Sequence, residues 1–145
     1  MMKHEKHHFS KNQDKQEEVI GEHMTSPVQS VPSDTTIFQV SQLMADKNIG
    51  SVLVTQDNEY IGIVTERDLT QKVIGKNLNP QSTQVTEVMS SPLITMDGNE
   101  PVTTANQFMA KNKIRHLAVT EKGKIIGILS VKDLVAFFAN PRLRH

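Results

Sequence analysis

Apolar residues fall in short bursts along this chain, and their spacing switches between strand-like and helix-like in a regular order. Behind the Ser26-Pro27 break, residues 28–31 read as a short strand. Ser33-Asp34-Thr35-Thr36 supplies capping residues ahead of Ile37, Val40, Leu43 and Met44, which fall on one helical face. Lys47-Asn48 closes that helix, with Gly50 just beyond. Residues 51–55 predict a strand, Gln56-Asp57-Asn58-Glu59 a turn, and residues 60–64 the return strand of a hairpin. Thr65 opens a second helix that runs through Leu69 and Val73 and stops near Gly75.

The order then recurs. The pattern predicts a strand at 93–96, a turn at Asp97-Gly98-Asn99, and a helix over 101–111 with Pro101 in its first turn. Strands at 117–120 and 125–129 flank a Glu121-Lys122-Gly123-Lys124 turn, and a helix at 131–139 ends at Asn140-Pro141. This second pass is the first displaced by 65 residues without a gap. Met24 falls on Met89, Pro27 on Pro92, Met44-Ala45 on Met109-Ala110, Gly62 on Gly127, and Asp68-Leu69 on Asp133-Leu134. Of the 51 pairs between 23–73 and 88–138, 14 are identical, where an ordinary composition gives roughly three or four by chance.

The chain therefore reads as one duplicated unit, strand-helix-strand-strand-helix. Unit one covers 21–76, a polar linker 77–84, and unit two 85–141, with a flexible polar tail at 1–20 and a short C-terminal tail at 142–145. The strands Val52-Leu53-Val54 and Ile61-Gly62-Ile63-Val64 are apolar on consecutive positions, the pattern of burial on both faces. One face meets the unit's own helices, and the second copy's sheet is the natural cover for the other. Met24, Met44, Met89 and Met109 recur in register and read as core gap-fillers.

Composition narrows the function classes. A formal net charge of zero argues against a dedicated nucleic-acid binder. Phe9, Phe38, Tyr60, Phe108, Phe137 and Phe138 are too scattered to form a base-stacking platform. Cysteine is absent, which removes thiol catalysis, disulfides and cysteine-ligated zinc, and fits a reducing compartment. No apolar run approaches a membrane span and no charged-then-apolar leader opens the chain, so a cytoplasmic protein is expected. His4, His7 and His8 lie in the polar tail without fixed geometry or supporting partners, and read as solvated rather than metal-binding. Nothing pairs a nucleophile with a base, two close carboxylates or a metal triad, so no catalytic residue is assigned.

The candidate chemistry sits where the second strand of each hairpin meets a helix. Thr65 and Ser130 occupy N-cap positions, with Asp68 and Asp133 three residues on. A helix start offers free N–H groups and partial positive charge, a natural place for a phosphate or ribose oxygen. The hydroxyls of Thr65 and Ser130, the carboxylates of Asp68 and Asp133, and the cations of Arg67 and Lys132 could all serve there. The same residues also make capping boxes, and capping alone accounts for Thr-x-x-Asp and Ser-x-x-Asp. Gly62 and Gly127, each three residues before its cap, are not required for capping and mark close approach of another backbone or a ligand.

Three matched segments carry a resemblance. They are Met24-Thr25-Ser26-Pro27 with Met89-Ser90-Ser91-Pro92, Ile49-Gly50-Ser51-Val52-Leu53-Val54 with Ile114-Arg115-His116-Leu117-Ala118-Val119, and Gly62-Ile63-Val64-Thr65-Glu66-Arg67-Asp68-Leu69 with its copy from Gly127. Together they resemble the CBS-domain family, specifically a stand-alone tandem pair (a Bateman module), over residues 20–140. Ala118 stands where family members often carry proline, a small packing variation.

The resemblance implies an α+β fold: a tandem pair of β-α-β-β-α units packed sheet to sheet with pseudo-two-fold symmetry. It also implies two clefts for adenosine-containing ligands. Thr65 and Asp68 would mark one cleft, Ser130 and Asp133 the other, with the carboxylates holding ribose hydroxyls. By the same resemblance Arg115 and His116 are phosphate contacts, a bidentate guanidinium beside an imidazole donor. Repeat one has Gly50-Ser51 at those positions, so the two clefts should differ in ligand preference. The implied function is a non-enzymatic sensor of AMP, ADP or ATP that signals to an unknown protein effector by population shift, as a homodimer and with no required cofactor. The alternatives are an S-adenosylmethionine or other adenosyl-ligand binder, and a ligand-free protein-interaction module.

Overall fold

The computed structural model describes residue 9 and residues 17–140; His4, His7 and His8 lie outside them. The fold is α+β, with two three-stranded sheets. Strands β1 (Ser30–Pro32), β2 (Ser51–Gln56) and β3 (Glu59–Thr65) form the first, and β4 (Thr95–Asp97), β5 (His116–Glu121) and β6 (Lys124–Ser130) the second. In each sheet the first two strands are parallel and the last two antiparallel. Parallel neighbours need a crossover, and the helices α1 (Ile37–Lys47) and α3 (Val102–Asn112) provide them.

Local chemistry accounts for most boundaries. Thr36 caps α1 reciprocally with Gln39: Thr36 Oγ1 accepts from the Gln39 N–H at 3.2 Å and Gln39 Oε1 from the Thr36 N–H at 3.1 Å. Ile37, Val40 and Met44 form the buried face of that helix. Asn48 ends it in the left-handed region at φ 54°, and Lys113 ends α3 the same way at φ 56°. Both hairpins turn through two left-handed residues, Asp57-Asn58 and Lys122-Gly123, which suits the twist of the flanking strands. Pro101 stands at the N-cap of α3 rather than inside its first turn, because its extended ψ of 147° cannot belong to a helix.

The helix expected from Thr65 to Gly75 is not uniform. A short α-helical turn, α2 (Glu66–Asp68), passes into a π-helix over Leu69–Ile74, closed by the Gly75 N–H on the Thr70 carbonyl at 2.8 Å. The apolar spacing of Leu69 and Val73 does not distinguish the two helix types. Its counterpart α4 (Val131–Ala139) is regular.

The chain forms two compact units that do not coincide with the two sequence repeats. A continuous unit spans Gln29–Leu93, while a composite unit joins the described residues up to Val28 to residues 94–140. The Met-x-Ser-Pro leader of each repeat therefore docks on the sheet of the other repeat. Ser90 and Ile63 exchange backbone hydrogen bonds at 2.8 and 3.1 Å, and Thr25 and Ile128 do so at 2.8 and 3.0 Å. The repeat boundaries 21–76 and 85–141 describe the duplication, whereas the folding partition cuts each repeat just after its leader. Edge strands β3 and β6 explain this, since each offers an unpaired row of backbone groups that a leader can cover.

Each unit has its own core. In the continuous unit Val31, Ile37, Val40, Met44, Val52, Val54, Val64, Val73, Val85 and Val88 cluster together. In the composite unit the cluster is Ile20, Val102, Ala105, Met109, Leu117, Val119, Leu129, Leu134 and Phe137. Every residue from Ser51 to Val54 in β2 is buried, which agrees with the consecutive apolar run.

Candidate functional site

Two corners carry the matched motif, one in each unit, and each is built from the end of a hairpin and the start of a helix. In the continuous unit β3 delivers Thr65 as N-cap. Asp68 Oδ2 accepts from the Thr65 N–H at 2.9 Å and from its hydroxyl at 3.2 Å, while the Asp68 N–H donates to Thr65 Oγ1 at 3.4 Å. In the composite unit Asp133 Oδ2 accepts from the Ser130 N–H at 2.9 Å and its hydroxyl at 3.0 Å, and the Asp133 N–H donates to Ser130 Oγ at 3.1 Å. Both motifs are complete capping boxes.

These caps correct the expectation of free helix-start amides. The Glu66 N–H donates to the Gly50 carbonyl at 3.0 Å and the Val131 N–H to the Arg115 carbonyl at 2.9 Å. With Asp68 and Asp133 donating to their cap hydroxyls, two of the three first-turn amides are engaged in each corner. A ligand there must be held chiefly by side chains.

Gly62 and Gly127 have a backbone explanation. A Cβ on Gly127 would overlap the Met24 thioether and lie 2.9 Å from the Thr25 carbonyl oxygen; one on Gly62 would overlap Met89 and lie 3.0 Å from the Ser90 carbonyl oxygen. The close approach inferred from sequence is that of the docked leader. Both glycines follow a bulge, at Ile61 and Ile126, and the Ser26 hydroxyl donates to the Ile126 carbonyl at 3.0 Å. Met24 and Met89 are thus matched to the opposite repeat's glycine, while Met44 and Met109 lie in the cores.

Arg115 and His116 fall in the same unit as Ser130 and Asp133. His116 is the cross-strand partner of Ser130, as Ser51 is of Thr65, so their side chains share a sheet face. Arg115 is exposed and His116 partly buried; Arg67 and Lys132 are exposed in the first helical turns. The composite corner therefore gathers Arg115, His116, Ser130, Lys132 and Asp133, and the continuous corner has Gly50, Ser51, Thr65, Arg67 and Asp68.

One side chain at these corners is not singled out by the motif. Lys72 Nζ lies 3.0 Å from Asp68 Oδ1 and donates to the Val88 carbonyl at 3.0 Å. Its position four residues after Asp68 on a predicted helix is the signal that could have found it. The residue at the same place in the second repeat, 65 on, is Phe137, which is buried. Asp133 Oδ1 instead meets the hydroxyl of exposed Thr25 at 3.4 Å.

Elsewhere in the composite unit Glu18, Glu22 and His23 bring one donor atom each within 4.8 Å of one another, a grouping that no sequence spacing announces. His23 Nε2 lies 3.6 Å from Glu18 Oε2 and its ring meets Phe137 edge-on at 4.8 Å, so this set is tied into packing.

Comparison with known proteins gives the same picture. The CBS-domain family matches at residues 18–75 and again at 85–140. CBS domain-containing protein YhcV of Bacillus subtilis is 32% identical over 111 residues, covering 77% of this chain and 79% of that protein. An uncharacterized conserved protein from Pyrococcus horikoshii superposes with a TM-score of 0.81 at 30% identity, over 89% of this chain and 97% of that one. CBS domain protein PAE2072 from Pyrobaculum aerophilum, solved in complex with AMP, gives 0.75 at 26% identity, over 86% and 94%. The match to the CBS domain-containing proteins of Arabidopsis thaliana spans about a fifth of their length. With both repeats matched, both sheets reproduced and both Gly-x-x-Thr/Ser-x-x-Asp corners in place, this chain belongs to the CBS-domain family and carries two CBS domains in tandem.

Proposed function

We propose that this chain is a non-enzymatic regulatory module that binds an adenine nucleotide, AMP, ADP or ATP, and passes the binding state to a protein effector by shifting its conformational populations. The observation that carries this reading is the composite corner. A capped carboxylate suited to ribose hydroxyls, Asp133, shares the corner with Arg115 and His116, whose chemistry suits phosphate. Similarity to a CBS protein solved with AMP supports the ligand class. Among the described residues no helix is long and apolar enough to cross a membrane, which is compatible with a cytoplasmic setting.

A thermal-shift panel of AMP, ADP, ATP, S-adenosylmethionine, NADH and a non-adenine control tests this. A nucleotide at 100 times its dissociation constant should add about 2.7 kcal/mol of stability. Arg115→Ala should weaken AMP and ATP without weakening S-adenosylmethionine, which has no phosphate. Indifference of every ligand to Arg115→Ala would favour the S-adenosylmethionine reading. No shift with any adenosine compound at millimolar concentration would leave a ligand-free interaction module, in which both Asp residues serve only as caps.

Self-association as a homodimer belongs to the same reading. In the composite unit α3 and α4 leave an apolar groove lined by Met109, Ile114, Leu134, Val135 and Phe138, and Val135 is 62% exposed. A charge there should oppose burial against a second copy. Val135→Glu is expected to lower the mass read by light scattering to that of one chain. An unchanged mass would take this groove out of the interface.

A further inference from the structure

The two corners differ most in what already occupies their carboxylates. In the continuous unit Asp68 is buried and both its oxygens are engaged, Oδ2 by the Thr65 cap and Oδ1 by Lys72. Lys72 is itself anchored, because its ammonium also donates to the carbonyl of buried Val88 at 3.0 Å. The π-helical turn Leu69–Ile74 carries this lysine, and the regular helix of the composite unit has Phe137 instead. Asp133 is partly exposed, and its Oδ1 faces only a 3.4 Å contact from the hydroxyl of exposed Thr25 among the hydrogen bonds described. A hydroxyl rotor can turn aside without leaving a buried charge unpaired. Displacing the Lys72 ammonium, whose side chain is 41% exposed, gives up both its bond to the Val88 carbonyl and the positive charge paired with a buried carboxylate, a larger loss than turning a hydroxyl.

We propose that Lys72 is a built-in occupant of the continuous corner, closing it to sugar hydroxyls, so that each chain takes one nucleotide, at Asp133. This rests on the adenine-nucleotide reading and decides which of two matched motifs is used. The chemical logic is competition. A ribose diol and an ammonium seek the same carboxylate oxygen, and the ammonium is tethered four residues away, at high effective concentration. Phe137 supplies no competitor in the other unit. The Arg115-His116 pair lies at that same open corner, so sugar and phosphate contacts coincide within one unit.

Isothermal titration of AMP and of ATP into the full chain tests this, with circular dichroism melting as the check on folding. The wild type should take one equivalent per chain, Asp133→Asn should lose it by tenfold or more in affinity, and Lys72→Met should take two. The double variant Lys72→Met/Asp133→Asn should return to one. Two equivalents in the wild type, binding retained by Asp133→Asn, or a single equivalent in a folded Lys72→Met would each overturn the occupancy proposal while leaving nucleotide binding intact. Absence of binding by every variant would overturn both. Where Lys72→Met melts too low to titrate, Lys72→Gln, which keeps a polar side chain without the charge, takes its place: two equivalents are expected, and one would overturn the proposal.

Discussion

A fragment spanning residues 29–93 is expected to fold and melt cooperatively, while one spanning the first repeat, 21–76, is expected to stay largely unfolded. The two differ little in length and share β1, α1, β2, β3 and the π-helical turn. What 21–76 lacks is the second half of its own surroundings. Val85 and Val88, at 0% and 1% exposure, complete the continuous core. The Ile37 N–H donates to the Thr83 carbonyl, the Val85 N–H to the Thr35 carbonyl, and Ser90 pairs with Ile63 in both directions. Losing two buried valines removes about 1.5–3 kcal/mol each. The lost hydrogen bonds remove about 1 kcal/mol apiece. A unit this small starts from only a few kcal/mol, so the sum exceeds what it has. In exchange 21–76 retains residues 21–28, whose partner Ile128 is then missing. Far-ultraviolet circular dichroism melting of both fragments decides the matter: a cooperative transition in 21–76 matching that of 29–93 would show the leader exchange to be energetically minor.

Gly127→Ala is expected to destabilise the protein by about 2 kcal/mol, a large effect for one added methyl group. The new Cβ would overlap the Met24 thioether and lie 2.9 Å from the Thr25 carbonyl oxygen. Overpacking of this kind costs about 1–3 kcal/mol. The side chain of Met24 can move, but the Thr25 carbonyl accepts the Ile128 N–H and is held in the bridge. Relief must therefore come partly from the leader peeling off β6. Met24→Ala removes the softer of the two obstacles, so Gly127→Ala/Met24→Ala should cost less than the sum of the single variants, by about 0.5 kcal/mol or more. Equilibrium urea unfolding of the three variants measures this. Strict additivity would mean that Met24 does not hold the leader against the glycine. Gly62→Ala with Met89→Ala should repeat the result in the continuous unit, where the corresponding carbonyl is that of Ser90.

These effects separate what is local from what is not. Capping boxes, αL helix ends and left-handed hairpin turns depend on residues within four positions of one another, so Thr36, Thr65, Ser130, Asn48 and Asp57-Asn58 are legible in the chain itself. The π-helical turn is an exception, because the spacing of Leu69 and Val73 suits either helix type. Lys72 sat at readable i,i+4 spacing from Asp68, but its second anchor, the Val88 carbonyl, lies 16 residues further on. The corner residues were readable as types and positions. Which of them are already engaged by the protein was not, since that depends on the partners supplied by distant segments.

By itself the sequence determined the duplication, the β-α-β-β-α order, the caps and the two Thr/Ser-x-x-Asp corners, because each follows from short-range spacing or from comparing one repeat with its twin. Tertiary structure alone decided which segments pack into one compact unit, and that partition cuts each repeat just after its leader. A strand edge accepts whichever leader reaches it, and backbone hydrogen bonds carry no record of which repeat supplies them. It also decided the meaning of the two glycines, which admit a thioether and a carbonyl from the other repeat. Last, it separated two carboxylates that look alike in the chain: one is held by a lysine and a cap, the other by a cap and a movable hydroxyl. Their difference lies at a single matched position, Lys72 against Phe137, and acquires consequence only where folding brings that position against the acid.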